Sequence, residues 1–118
     1  MSDQDEITKL MNEIIGCRDI LTAIGDEVRQ HIIISMMSAG NCTGMRVNDI
    51  SSLTNLSRPA VSHHLKILKD AGVLKMRREG TKNYYYFDAD MQSFTLLINM
   101  LEHAKKIMLS LPDRSGEQ

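Results

Sequence analysis

The stretch from Ser57 to Phe87 constrains this chain most, because its hydrophobic period changes at Gly72, and a period can change only where one element ends and another begins. Before the glycine, Val61, Leu65 and Leu68 are spaced four and three apart, as on one face of a helix. Ser57 starts that helix as a cap. Pro59 is tolerated in its first turn, where its missing N–H would be unpaired anyway, and Gly72 after Ala71 is placed to close it in a left-handed conformation. Beyond the glycine, Val73, Lys75 and Arg77 alternate with Leu74, Met76 and Arg78. Glu79-Gly80-Thr81-Lys82 then turns the chain into Asn83-Tyr84-Tyr85-Tyr86-Phe87, so residues 73–87 read as a hairpin with a basic tip.

Upstream, Asn48 is expected to cap a short helix from about Asp49 to Thr54 that turns Ile50 and Leu53 inward, with Asn55-Leu56 as a tight connection. Two short helices joined tightly over residues 48–71 give the helix-turn-helix outline. Ile7, Leu10, Met11, Ile14, Ile15 and Leu21 predict a first amphipathic helix from about Asp5 to Thr22, and Gly25 breaks it. Asp26 caps a helix to about Ser38 with Val28, Ile32, Ile33, Met36 and Met37 as its buried stripe, and Gly40-Asn41 stops it. A last helix from about Met91 to Leu109 carries Phe94, Leu97, Ile98, Leu101, Ala104 and Met108, followed by a polar tail from Pro112. The expected fold is mainly α with a small β-hairpin: a winged helix-turn-helix of about five helices plus a two-stranded wing. The 118 residues suffice for a single domain, 1–118.

The formal net charge of -1 conceals a segregation along the chain. Between Arg46 and Lys82 there are eight basic residues against three acidic ones, while the remainder holds six basic and twelve acidic. The middle attracts phosphate and the ends do not. No apolar run is long enough to span a bilayer, and the acidic, polar Met1 to Glu6 is unlike a signal peptide, so a cytoplasmic protein without membrane partners is expected. Cys17 and Cys42 are too few for a disulfide framework and read as reduced thiols.

With Val61, Leu65 and Leu68 facing the core, Arg58, Ser62 and Lys66 form an exposed row flanked by Pro59 and His63. Arg58 suits bidentate contact to guanine, while Lys66 and Lys69 suit phosphates. Ser57 joins this set at the helix start, and Arg77, Arg78 and Lys82 around the hairpin tip could reach the backbone or a minor groove. An ordinary solvated helix face is the plainer reading of the row alone. The combination of cap, turn, donor-rich helix and basic hairpin within one basic segment favours double-stranded DNA. The three tyrosines read as strand and core residues, His64 as structural, and His31 has no readable role.

Leu21-Thr22-Ala23-Ile24-Gly25-Asp26 with Arg29, Ser57-Arg58-Pro59-Ala60-Val61-Ser62-His63-His64-Leu65-Lys66-Ile67-Leu68, Ala71-Gly72-Val73-Leu74, and Arg77-Arg78-Glu79-Gly80 followed by Tyr84-Tyr85 together resemble ArsR-type (ArsR/SmtB-like) winged-helix repressors, which are homodimeric bacterial sensors. The resemblance implies that the Arg58 to Ala71 helix enters the major groove, that the hairpin is the wing, and that helices near 5–22 and 91–109 pair two subunits. It further implies a repressor acting on a near-palindromic operator and released by an effector. Where metal-sensing relatives carry Cys-x-Cys at the start of the third helix, this chain has Arg46 and Asn48. At the other common metal site it has Asp90, Gln92, His103 and Lys106, which leaves Asp90 and His103 as remnants of a four-ligand set. No complete metal site and no cofactor is therefore expected, with Asp90 read as a helix cap and His103 as interfacial. Cys17 and Cys42 are redox candidates set against a structural reading that is stronger. No phosphate loop, dinucleotide fingerprint or nucleophile motif points to an enzyme. The remaining alternative is a winged helix that binds protein and no DNA.

Overall fold

The computed structural model describes residues 3–40 and 43–112. Its elements are α1 (Asp3–Gly16), α2 (Arg18–Ile24), α3 (Glu27–Ala39), α4 (Val47–Thr54), α5 (Arg58–Asp70), β1 (Leu74–Glu79), β2 (Lys82–Phe87) and α6 (Gln92–Ser110). The strands pair antiparallel from Leu74 opposite Phe87 to Glu79 opposite Lys82, leaving the two-residue loop Gly80-Thr81, where only the glycine takes a positive φ (65°). Asn41, Cys42 and the tail beyond Pro112 lie outside the described residues. Among those described, no helix is long and apolar enough to cross a membrane.

The core sits where α3, α4, α5 and β1 meet, and Ile32, Ile50, Val61, Leu65, Leu68, Val73 and Leu74 are fully buried there. At roughly 1.5–3 kcal/mol for each fully buried aliphatic side chain, these positions are a main source of stability. Several caps follow the sequence. Asp26 accepts the Arg29 N–H at 3.0 Å, Ser57 Oγ accepts the Ala60 N–H at 3.3 Å, and Gly72 ends α5 with φ 83°. A Cβ on Gly72 would stand 2.3 Å from Ser93 Oγ, so any other residue would also make that hydroxyl on α6 turn away.

Four expectations are corrected. The single first helix is two, broken where the Cys17 N–H is shared between the carbonyls of Glu13 and Ile14, each at 3.1 Å. The break falls after the poor helix former Gly16 and turns Cys17, Ile20 and Ala23 into the core, while Leu21 stays exposed. The α4 cap is Arg46, whose N–H donates to Asp49 Oδ2 at 3.1 Å, and Asn48 lies inside the first turn. Leu53 is 50% exposed, because the inward face of α4 is the i, i+4 pair Ile50 and Thr54, and Thr54 satisfies its buried hydroxyl by donating to the Ile50 carbonyl at 2.7 Å. Met37 likewise falls outside the buried row of Arg29, Ile32 and Met36 on α3.

Candidate nucleic-acid interface

Burial of Val61, Leu65 and Leu68 turns the opposite side of α5 outward, and Arg58, Pro59, Ser62, His63 and Lys66 are all exposed along it, with Ser57 at its start and Lys69 half-buried near its end. The face is held at a fixed pitch by polar anchors behind it. Arg29, buried on α3, donates from Nε to the Ala23 carbonyl at 2.7 Å and from Nη2 to the Thr22 carbonyl at 2.9 Å, capping the end of α2. Its Nη1 stands 3.2 Å from Nδ1 of His64 on α5. Because guanidinium can only donate, Nδ1 accepts and the imidazole is neutral. Burial, and then the adjacent Arg29 charge, push the His64 pKa down in agreement with that assignment. His31 Nε2 lies 3.1 Å from the Thr54 carbonyl, tying the end of α4 to α3 and giving that histidine a structural place.

Not all of the basic stripe is free. Lys66 pairs with Asp70 at 2.8 Å one turn along, and that hydrogen bond raises the lysine and lowers the aspartate from their ordinary pKa values. Lys75 sits 3.3 Å from Asp88 and 3.6 Å from Asp90. Arg77 turns back across the wing: its guanidinium lies 4.8 Å from the Tyr84 ring centroid, pairs with Glu79 and donates to the Thr43 carbonyl. It thereby braces the segment at Gly44 and Met45, and Met45 exchanges two 2.8 Å backbone hydrogen bonds with Tyr85. Arg78 donates to the Gly80 carbonyl at 3.0 Å and remains exposed, as does Lys82. Among the described residues, Arg46, Arg58, Arg78 and Lys82 have no carboxylate partner within ion-pair distance.

Folding also assembles a polar cleft that reading along the chain missed. Arg46, Val47 and Asn48 from the start of α4, Arg58, Pro59 and Ser62 from α5, and Thr81 and Asn83 from the wing line one opening of about 550 Å³. Arg58 Nη1 donates to Asn48 Oδ1 at 3.2 Å across it. Arg46 was visible as a charge in the sequence, but only the packing of α4 against α5 puts it beside Arg58.

The other candidates are dispersed. Asp90 pairs with Lys75 and does not cap α6, whose cap is Met91 with φ 54°. His103 Nδ1 lies 2.7 and 2.8 Å from the two carboxylate oxygens of Glu13, joining α6 to α1. Among the described residues, no three of His, Cys, Asp and Glu converge as a metal site. Cys17 is buried, at 3% exposure, so it lacks the access that a thiol switch needs, and Cys42 lies outside the described residues.

The fold has counterparts among known proteins. A family model described as bacterial regulatory protein, arsR family, matches residues 28–75. An uncharacterized HTH-type transcriptional regulator of Methanocaldococcus jannaschii is 40% identical over 72 residues, 61% of this chain and 78% of that protein. Transcriptional repressor SdpR of Bacillus subtilis is 37% identical over 67 residues, 57% of this chain and 70% of the repressor. Among solved structures, the crystal structure of an ArsR family transcriptional regulator superposes with a TM-score of 0.61 at 17% identity, over 89% of this chain and 96% of that one. A homodimeric winged helix-turn-helix DNA-binding domain from Mycobacterium bovis superposes with a TM-score of 0.56 at 19% identity, over 97% of both chains. At these identities the superpositions speak for the winged helix-turn-helix fold alone.

Proposed function

Because this chain belongs to the ArsR family of bacterial regulatory proteins, DNA-binding transcriptional regulators rather than enzymes, we propose that it is a repressor that binds a near-palindromic operator as a homodimer. The observation that carries this reading is the exposed α5 row of Arg58, Ser62, His63 and Lys66, packed beside a wing whose exposed Arg78 and Lys82 have no carboxylate partner among the described residues. In the proposed complex α5 lies in the major groove, Arg58 reads a guanine, and Ser57, Pro59, Ser62 and His63 touch base edges or sugar–phosphate near the helix start. Lys66, Lys69, Arg78 and Lys82 hold phosphates, and Arg77 acts indirectly by bracing the wing.

The terminal helices supply the partner surface for a second copy. Met11 and Ile15 on α1, and Leu96, Ile98, Leu101 and Met108 on α6, are half or more exposed in the isolated protomer. A two-fold axis through that surface sets two α5 helices against half-sites about 10 bp apart or a multiple of it. An effector that favours one of two dimer arrangements would release DNA by changing that spacing.

A fluorescence-anisotropy titration tests the reading, using the duplex upstream of the protein's own coding sequence and a scrambled duplex at two salt concentrations. Tight, salt-sensitive binding to the first duplex alone is expected. Equal weak binding to both, or none at low salt, would overturn it.

A further inference from the structure

If α5 fills a major groove and the wing touches the neighbouring minor groove, as proposed above and on which this inference rests, the sugar–phosphate strand between the grooves must pass between those two elements. The opening between them is the cleft lined by Arg46, Asn48, Arg58, Ser62, Thr81 and Asn83. We infer that this cleft seats one backbone phosphate of the bound DNA and that Arg46, ahead of the recognition helix, is its principal cation.

Three observations support the assignment. No carboxylate lines the cleft among the described residues, and the nearby Asp49 is engaged by the Arg46 backbone N–H. Arg58 already donates from Nη1 to Asn48 Oδ1, which commits part of its guanidinium inside the protein. The Arg46 guanidinium, in contrast to Lys66, Lys75 and Arg77, has no ion-pair partner among the described residues. A phosphate in the cleft would also meet the hydroxyls of Ser62 and Thr81, neutral donors that recognise an anion without adding sequence preference.

The test compares wild type, Arg46→Gln, Arg46→Lys and Arg58→Ala on a duplex selected by the wild-type protein from a random pool, and on its scrambled form. Arg46 sits at a cap through its backbone, in an extended conformation open to any residue, so Arg46→Gln is expected to fold, and its thermal melt checks this. The slope of log affinity against log salt should fall by about 0.9 per protomer in Arg46→Gln and be retained in Arg46→Lys. Affinity for both duplexes should drop by the same factor, leaving their ratio unchanged. Replacing single phosphates of the selected duplex by neutral methylphosphonate should reveal one position per half-site that weakens wild type roughly tenfold and leaves Arg46→Gln unaffected. An unchanged slope in Arg46→Gln, or methylphosphonate effects identical in both proteins, would overturn the contact while Arg58→Ala still erased sequence preference. Preference that survives Arg58→Ala would instead overturn the base-reading geometry, and this contact with it.

Discussion

The segment from α3 through the wing and the two terminal helices differ in how completely they satisfy themselves. From Ile32 to Leu74 seven core side chains, Ile32, Ile50, Val61, Leu65, Leu68, Val73 and Leu74, are under 2% exposed, and the buried Arg29 is matched inside the protomer by two carbonyls and His64. On α1 and α6, by contrast, Leu97, Met100 and Ala104 pack inward while Ile98, Leu101 and Met108, on the same helix, stay in solvent. One region closes a core of its own and offers charge outward on α5 and the wing, although Ile34, Met37 and Leu53 also stay exposed on it. The other is folded on one side only and offers apolar surface outward. The contrast supports the proposal that the first region recognises a polyanion and the second self-associates.

The largest effect that sharpens this contrast is in the self-contained region. Leu65→Ala should cost about 2–5 kcal/mol by denaturant titration, at any protein concentration, because nothing outside the protomer can compensate the cavity. Ile98→Glu with Leu101→Glu should leave helix content intact but raise the dimer dissociation constant by roughly a hundredfold in sedimentation equilibrium, since it would bury unpaired charge at a partner surface. An unchanged association constant would break the comparison by showing that the exposed face of α6 is not where copies meet.

A smaller effect separates the regions by pH. The folded state holds the His64 pKa below its ordinary value, so the unfolded chain binds the proton more readily, and the contact with Arg29 stabilises fully above about pH 6.5 and less as pH falls below it. His64→Asn, whose carbonyl can accept from Arg29 without titrating, should flatten that part of the melting-temperature profile, and an unaltered profile would place the acid sensitivity elsewhere. Smallest of all, Lys66→Gln should leave the melting temperature within error, because the Lys66–Asp70 pair is fully in solvent, while weakening binding to any duplex modestly.

What the sequence made legible is what local chemistry decides. Asp26 and Ser57 cap because their oxygens reach an N–H three residues on, Gly72 and Gly80 take φ values that other residues resist, and the period change between α5 and β1 needs no knowledge of the rest of the chain. The donor row of Arg58, Ser62 and Lys66 was legible for the same reason, since it is the complement of the buried row. The break at Cys17 was not, because it depends on α2 turning against the core, nor was the exposure of Leu53, which follows from α4 turning Ile50 and Thr54 inward. Charge counting set Asp70 and Glu79 against the basic residues without showing that they pair with Lys66 and Arg77 in particular, and it missed that Lys75 meets Asp88 and Asp90 from beyond the counted segment. The cleft joining Arg46 to Arg58 brings together residues twelve apart in sequence from two helices with a third element across the opening, and no local pattern encodes it.

The most direct measurement of the central claim is a hydroxyl-radical footprint of the wild-type protein on its selected duplex. Two symmetric protections with centres about 10 bp apart or a multiple of it, collapsing to weak or no protection with the Ile98→Glu, Leu101→Glu variant, are predicted for a middle that reads DNA and ends that pair. A single asymmetric protection that this variant reproduces would contradict the account.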